Sequence, residues 1–171
     1  MPVKIYLIGY MGCGKSTLGR KLAKSLRLCF IDLDKYIEER NFRTIPNIFA
    51  EEGEEGFRER EKKALEEIAE FENLVVATGG GAPCFFENME LMNRTGATLY
   101  IAPPVSVLVE RLLKSKNERP LIKGKSKEEL TRFIDENLKR RAPFYEKASI
   151  IIRDKDNLAV EDVLPYLEKK Q

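Results

Sequence analysis

At 171 residues the chain is long enough for one domain with a substantial core and too short for two ordinary ones. Its formal charge of +2, with 34% charged residues of both signs interspersed, gives none of the cationic field that nucleic-acid binders show, so no nucleic-acid partner is expected. The absence of histidine excludes histidine-based acid–base chemistry and Ser-His-Asp triads, leaving carboxylates, lysine, tyrosine and cysteine as proton acceptors.

The chain opens with an apolar run, Val3 to Ile8, followed by Gly9, Gly12, Gly14, Lys15, Ser16 and Thr17, and then by an amphipathic helical segment from Lys15 to Leu26. Strand, glycine-rich turn and helix are the context that G-x-x-x-x-G-K-[ST] requires, so the stretch is a P-loop. Its glycines let successive N–H groups turn toward one point at the positive end of a helix, an anion nest for the phosphates of ATP. Gly12, Cys13, Gly14, Lys15, Ser16 and Thr17 are the expected contacts, with Lys15 reaching the β- and γ-phosphates and the Ser16 hydroxyl ligating Mg²⁺.

A second short strand, Leu28 to Ile31, runs into Asp32-Leu33-Asp34, where alternation places both carboxylates on one side. One steadies Mg²⁺ while the other faces an acceptor. The polar region from Lys35 to Phe71 predicts two or three short helices and then a long one from about Glu54 to Phe71, with Gly53 and Gly56 as breaks. Arg58 and Glu61, three apart on that helix, are spaced to pair, and Phe49 and Phe57 are expected in the core.

Leu74 to Ala77 is a third buried strand, ending in Thr78-Gly79-Gly80-Gly81, where a backbone can approach something closely. A helix from Phe85 to Arg94, a strand from Ala97 to Ala102 and a helix from Val105 to Lys114 follow. Lys116 to Lys127, basic and interrupted by Pro120 and Gly124, reads as a mobile flap. Then come a helix stopped before Pro143, a fifth strand from Ser149 to Arg153 and a closing helix from Leu158 to Lys169.

Five strands alternating with helices predict an α/β protein: three α/β/α layers around a five-stranded parallel sheet, in one domain over residues 1–171. A substrate-binding region is expected at about 33–61 and a lid at about 115–127. Ligands in such sheets lie beyond the carboxyl ends of the strands, where the P-loop, the two aspartates and the glycine run all fall. The Leu74 to Ala77 strand ends in Thr-Gly-Gly-Gly and not in the Walker B aspartate of motor ATPases, and no N-K-x-D guanine motif is present. Cys13, Cys29 and Cys84 are odd in number and scattered, without C-x-x-C spacing, which fits a reducing cytoplasmic setting. No membrane segment is legible, and a monomer is the expected state.

The segments LIGYMGCGKSTLGRKLA, FIDLD, EGEEGFREREKKAL, ATGGGA, ERPL and RRAPFYEKA, in this order and over nearly the whole chain, resemble the shikimate kinase family. The resemblance implies an adenylate-kinase-like fold and Mg²⁺-dependent transfer of the γ-phosphoryl group of ATP to the 3-hydroxyl of shikimate, in aromatic amino-acid biosynthesis. It implies Asp34 on the shikimate hydroxyls as base or positioner, Asp32 beside Ser16 near Mg²⁺, and Lys15, Asp34 and Arg119 as the catalytic set. Arg58 and Arg141 would hold the shikimate carboxylate, the choice of Arg141 over Arg140 resting on R-x-P-x-Y spacing, and Gly79, Gly80 and Gly81 would bring main-chain amides to the substrate. Arg119 would close from the lid, and Arg111 and Arg153 would flank the adenine. Tyr10 and Cys13 depart from the commonest residues of this loop without supplying a phosphate ligand by their side chains.

The residue chemistry agrees: a carboxylate accepts hydrogen bonds from vicinal hydroxyls and repels phosphate, and an arginine fork meets a carboxylate bidentately, together favouring a hydroxylated acid. Another small P-loop kinase, of gluconate or nucleoside-monophosphate type, and a non-catalytic ATP-binding module are the alternatives.

Overall fold

The structure, a computed structural model, describes residues 3–116, 119 and 121–169. Three strands begin it: β1 (Lys4–Ile8), β2 (Cys29–Asp32) and β3 (Leu74–Ala77); β4 (Ala97–Ala102) and β5 (Ile150–Arg153) complete a parallel sheet in the order β2-β3-β1-β4-β5. Period-two alternation divides β1 between two cores: Ile5 and Leu7 face one, Tyr6 and Ile8 the other.

The first core is completed by α1 (Lys15–Leu26), α5 (Val105–Lys114), α6 (Lys127–Tyr145) and α7 (Val160–Glu168). The second is covered by α2 (Leu33–Asn41), α3 (Ile45–Ala69) and α4 (Asn88–Thr95). With every strand parallel, the ends of β1, β2 and β3 open on one edge, and this carries the phosphate loop, the aspartates and the glycine run to a common place.

Several boundaries differ from the sequence reading, each for a local reason. Gly53 breaks α3 as expected, with φ 69° and ψ −174°, but Gly56 does not: it lies within the helix, where a Cβ would come 2.4 Å from that of Glu52. The long arm ends at Ala69, two residues before Phe71. The helix expected from Phe85 begins only at Asn88, because a 3₁₀ turn at Ala82–Cys84 intervenes and buried Asn88 donates to the Ala82 carbonyl at 3.0 Å. Helix α6 runs through Pro143 instead of stopping before it. Proline removes one donor, yet the turn is kept by the Glu146 N–H bond to the Ala142 carbonyl and by Tyr145, which is fully buried. Phe57 is core, whereas Phe49 stacks on it at 4.7 Å with one side open to solvent. No described helix is long and apolar enough to cross a membrane.

Candidate active site

Between β1 and α1 the chain forms the phosphate loop. Gly14 takes the N-cap position of α1 in the left-handed region, φ 101°, and no side chain caps the helix, so its first-turn amides are left for an anion. Lys15 Nζ donates to the carbonyls of Gly9 (2.6 Å) and Tyr10 (3.1 Å), which holds the ammonium over the loop. A cavity of about 700 Å³ opens there, lined by Met11 to Leu18 together with Asp32, Asp34, Ala77 to Gly80, Arg111 and Arg119.

Asp32 and Asp34 both reach this cavity, but not as alternate positions of a strand. Strand β2 ends at Asp32, whose carboxylate caps α2 by accepting from the Lys35 N–H at 3.3 Å, and Asp34 lies in the first helical turn. Aspartate is a favoured N-cap, and that preference ends the strand. The other oxygen of Asp32 accepts from the Ser16 hydroxyl at 3.1 Å, so the two residues expected to serve Mg²⁺ are already paired.

The third strand delivers Thr78 to Gly81 beside these carboxylates. A Cβ on Gly79 would lie 3.1 Å from Asp34 Oδ1, one on Gly80 would lie 3.0 Å from Arg141 Nη1, and one on Gly81 would lie 2.5 Å from Arg58 Nη2. Three side chains from α2, α3 and α6 therefore converge on three consecutive glycines, which have no side chains to displace them. Gly80 also touches the phosphate loop, its Cβ position being 3.5 Å from Gly9 O and Met11 N.

Arg58 and Glu61 do pair, at 2.9 Å, but not as an exposed surface contact: Glu61 is 1% exposed, and its second oxygen and Arg58 Nε are buried without a described partner. Arg58 also lies 4.0 Å from the Phe85 ring centroid and 3.6 Å from Glu54. Burial pushes the Glu61 carboxyl up to about 7, against the pull of Arg58 and with Asp34 and Glu54 adding to the rise. Asp34 is raised as well, first by burial and then by Asp32, with Lys15 opposing. The buried role of Glu61 was missed, although a signal exists: it falls in the stripe Phe57, Glu61, Ala64, Leu65, Ile68, where helical spacing calls for core.

Of the adjacent arginines, Arg140 is exposed and bonded to Asn137 at 2.7 Å, whereas Arg141 is half-buried beside Gly80. Arg141 donates to the Tyr145 hydroxyl at 3.3 Å, and among the described residues it has no carboxylate partner. Arg111 lines the cavity and donates to the Gly12 carbonyl at 3.1 Å and to Asn157 Oδ1 at 3.2 Å. Lys21 and Asn157, not singled out from the sequence, line the cavity too. Arg153 does not: it is half-exposed and ion-paired with Glu146 on the sheet's outer strand. Arg119 is in the lining, while Asn117, Glu118 and Pro120 of the expected lid lie outside the described residues.

A nest for polyphosphate, with Asp34, Arg58 and Arg141 gathered around the glycine run beside it, on a parallel sheet of this order, makes the protein a P-loop kinase of small molecules. Known proteins narrow the class. Residues 11–170 match the family model described as shikimate kinase. The shikimate kinase of Parabacteroides distasonis is 52% identical over 160 residues, covering 94% of this chain and 92% of its own. The crystal structure of shikimate kinase from Bacteroides thetaiotaomicron superposes with a TM-score of 0.90 at 48% identity, covering 99% and 98% of the two chains. That of shikimate kinase from Acinetobacter baumannii in complex with shikimate gives 0.82 at 39% identity, covering 99% and 92%. The chain belongs to the shikimate kinase family, and it is an ATP-dependent phosphotransferase.

Proposed function

We propose that this member of the shikimate kinase family transfers the γ-phosphoryl group of ATP to the 3-hydroxyl of shikimate, the nucleotide phosphates on the Gly9 to Thr17 loop and the acid over Gly79 to Gly81. The convergence of Asp34, Arg58 and Arg141 on that glycine run, next to the phosphate loop, supports this most. Arg141 and Arg58 take the carboxylate of the acid as forks, and Asp34 accepts from its hydroxyls and sets the attacking oxygen in line.

Ser16 and Asp32 fit Mg²⁺, an ion that needs only one or two protein oxygens beside phosphate and water, so the lack of a three-carboxylate cluster among the described residues is no obstacle. When bound it supplies charge neutralisation at the β- and γ-phosphates. Lys15 leaves the carbonyls of Gly9 and Tyr10 for the phosphates, and Arg119 adds a second cation from the lid segment. The phosphoryl transition state is loose, so positioning and charge neutralisation carry most of the rate, and Asp34 acts mainly as a positioner even though burial strengthens it as a base. Arg111 and Asn157 border the nucleotide end, and Arg153 lies outside that lining.

The test is ADP release followed with shikimate, gluconate and nucleoside monophosphates as acceptors, with and without Mg²⁺. Saturable turnover with shikimate alone is expected. Turnover with another acceptor and none with shikimate rejects the proposal, and ATP binding without transfer to any acceptor points to a binding module.

A further inference from the structure

We infer that Tyr10, a residue of the phosphate loop, is a positioning residue for Arg141. Its ring lies beneath the Arg141 guanidinium, 5.1 Å from Cζ to the centroid, and its hydroxyl accepts from Asn137 Nδ2 at 3.3 Å. Asn137 and Arg141 stand four apart on α6, so the tyrosine engages two successive positions on one helical face. Tyr10 is 1% exposed, and Asn137 Nδ2 also bonds the Phe133 carbonyl at 3.0 Å, so neither partner of that contact is loose.

The second hold on Arg141 is Tyr145, whose hydroxyl accepts from Arg141 Nη1 and donates to the Gly80 carbonyl. Between two tyrosines the guanidinium is oriented without being neutralised. Arg58 differs, having Glu61 and Glu54 beside it. An aromatic face attracts a cation through its quadrupole and leaves the charge available, as a seat for an anionic group requires. Through its main chain the same residue accepts from Lys15 at 3.1 Å, so Tyr10 contacts the phosphate-side lysine with its carbonyl and the acid-side arginine with its ring. A phosphate loop can do without a side chain at this position, and here the side chain serves the other substrate.

This rests on Arg141 binding the acid's carboxylate. The test is calorimetric titration of shikimate into the wild type, Tyr10→Phe and Tyr10→Leu, each also on an Arg141→Ala background, together with the KM for ATP. Affinity is expected to fall about twofold for phenylalanine, which loses the Asn137 contact, and about fivefold for leucine, which loses the ring. The loss of shikimate affinity exceeds any change in the KM for ATP, and on Arg141→Ala neither variant weakens binding further. A flat series, or equal losses on both backgrounds, overturns the inference. Where leucine prevents folding, Tyr10→Met adapts to the same space and is judged by the same outcomes. If Arg141→Ala alone binds shikimate as the wild type does, the carboxylate role fails and this inference with it. If that variant is weak while the Tyr10 series is flat, only this inference fails.

Discussion

The two ends of the proposed active site are built from different materials. The phosphate end is main chain: left-handed glycines, uncapped amides of α1 and one lysine resting on carbonyls, all within a single contiguous stretch. The acceptor end is side chain: Asp34, Arg58, Glu61 and Arg141 come from three helices and meet only because Gly79 to Gly81 leave room. Gly80, in reach of both the loop backbone and Arg141, is where the two are joined. Backbone amides bind any polyphosphate tail, whereas placed ionic side chains select one acceptor, so specificity and its pH sensitivity should reside at the second end.

That division is sharpened by removing one cation at a time. Lys15→Ala should lower kcat by at least about 10⁴-fold, since the transferring group loses its nearest fixed charge, and single-turnover kinetics would show it. Full activity would refute the phosphate role. Arg119→Ala should cost about 10³-fold in kcat while shikimate affinity, measured by calorimetry, changes little. A loss confined to shikimate affinity would move that arginine to the acceptor end.

A smaller effect separates the ends by pH. The folded protein holds the Glu61 proton up to about pH 7, against an ordinary value of 4.5, so its contribution to stability is full below about pH 4.5 and is lost as pH rises through 7. The size is of order 3 kcal/mol for a shift of this extent. Asp34 shifts in the same direction. Partly buried, ion-paired Glu52, held down at about 2, acts only on the acid side of that window. Thermal unfolding between pH 5 and about 8 should therefore show declining stability that Glu61→Gln flattens. Shikimate affinity should fall over the same interval as ionised Glu61 offsets Arg58, with Asp34 and Glu54 as the other carboxylates facing that pair. An unchanged slope in Glu61→Gln would assign the dependence elsewhere.

The sequence was informative where the physics is local. The phosphate loop is one short string with a strand before it and a helix after it, and five apolar runs separated by helical periods suffice for the layers of the sheet. It was less informative where an outcome depends on what packs overhead. Arg58 and Glu61 at three-residue spacing look the same on an exposed helix as on a buried one. Only the glycine run and the Phe57 to Ile68 stripe show which of the two this is. Asp32 ended its strand because capping outweighed alternation, and Pro143 stayed helical because buried Tyr145 fixes the turn beyond it. Nothing in the sequence tied Tyr10 to α6, since a residue inside a phosphate loop says nothing about a helix more than a hundred positions later.

The most direct measurement is the steady-state kinetics of Arg141→Ala with each substrate varied in turn. The KM for shikimate should rise at least about tenfold, the loss of a charge-assisted fork, with the KM for ATP within about twofold of the wild type. A rise in the KM for ATP with shikimate unaffected would contradict it, because the half-buried cation over Gly80 would then belong to the phosphates and not to the acid.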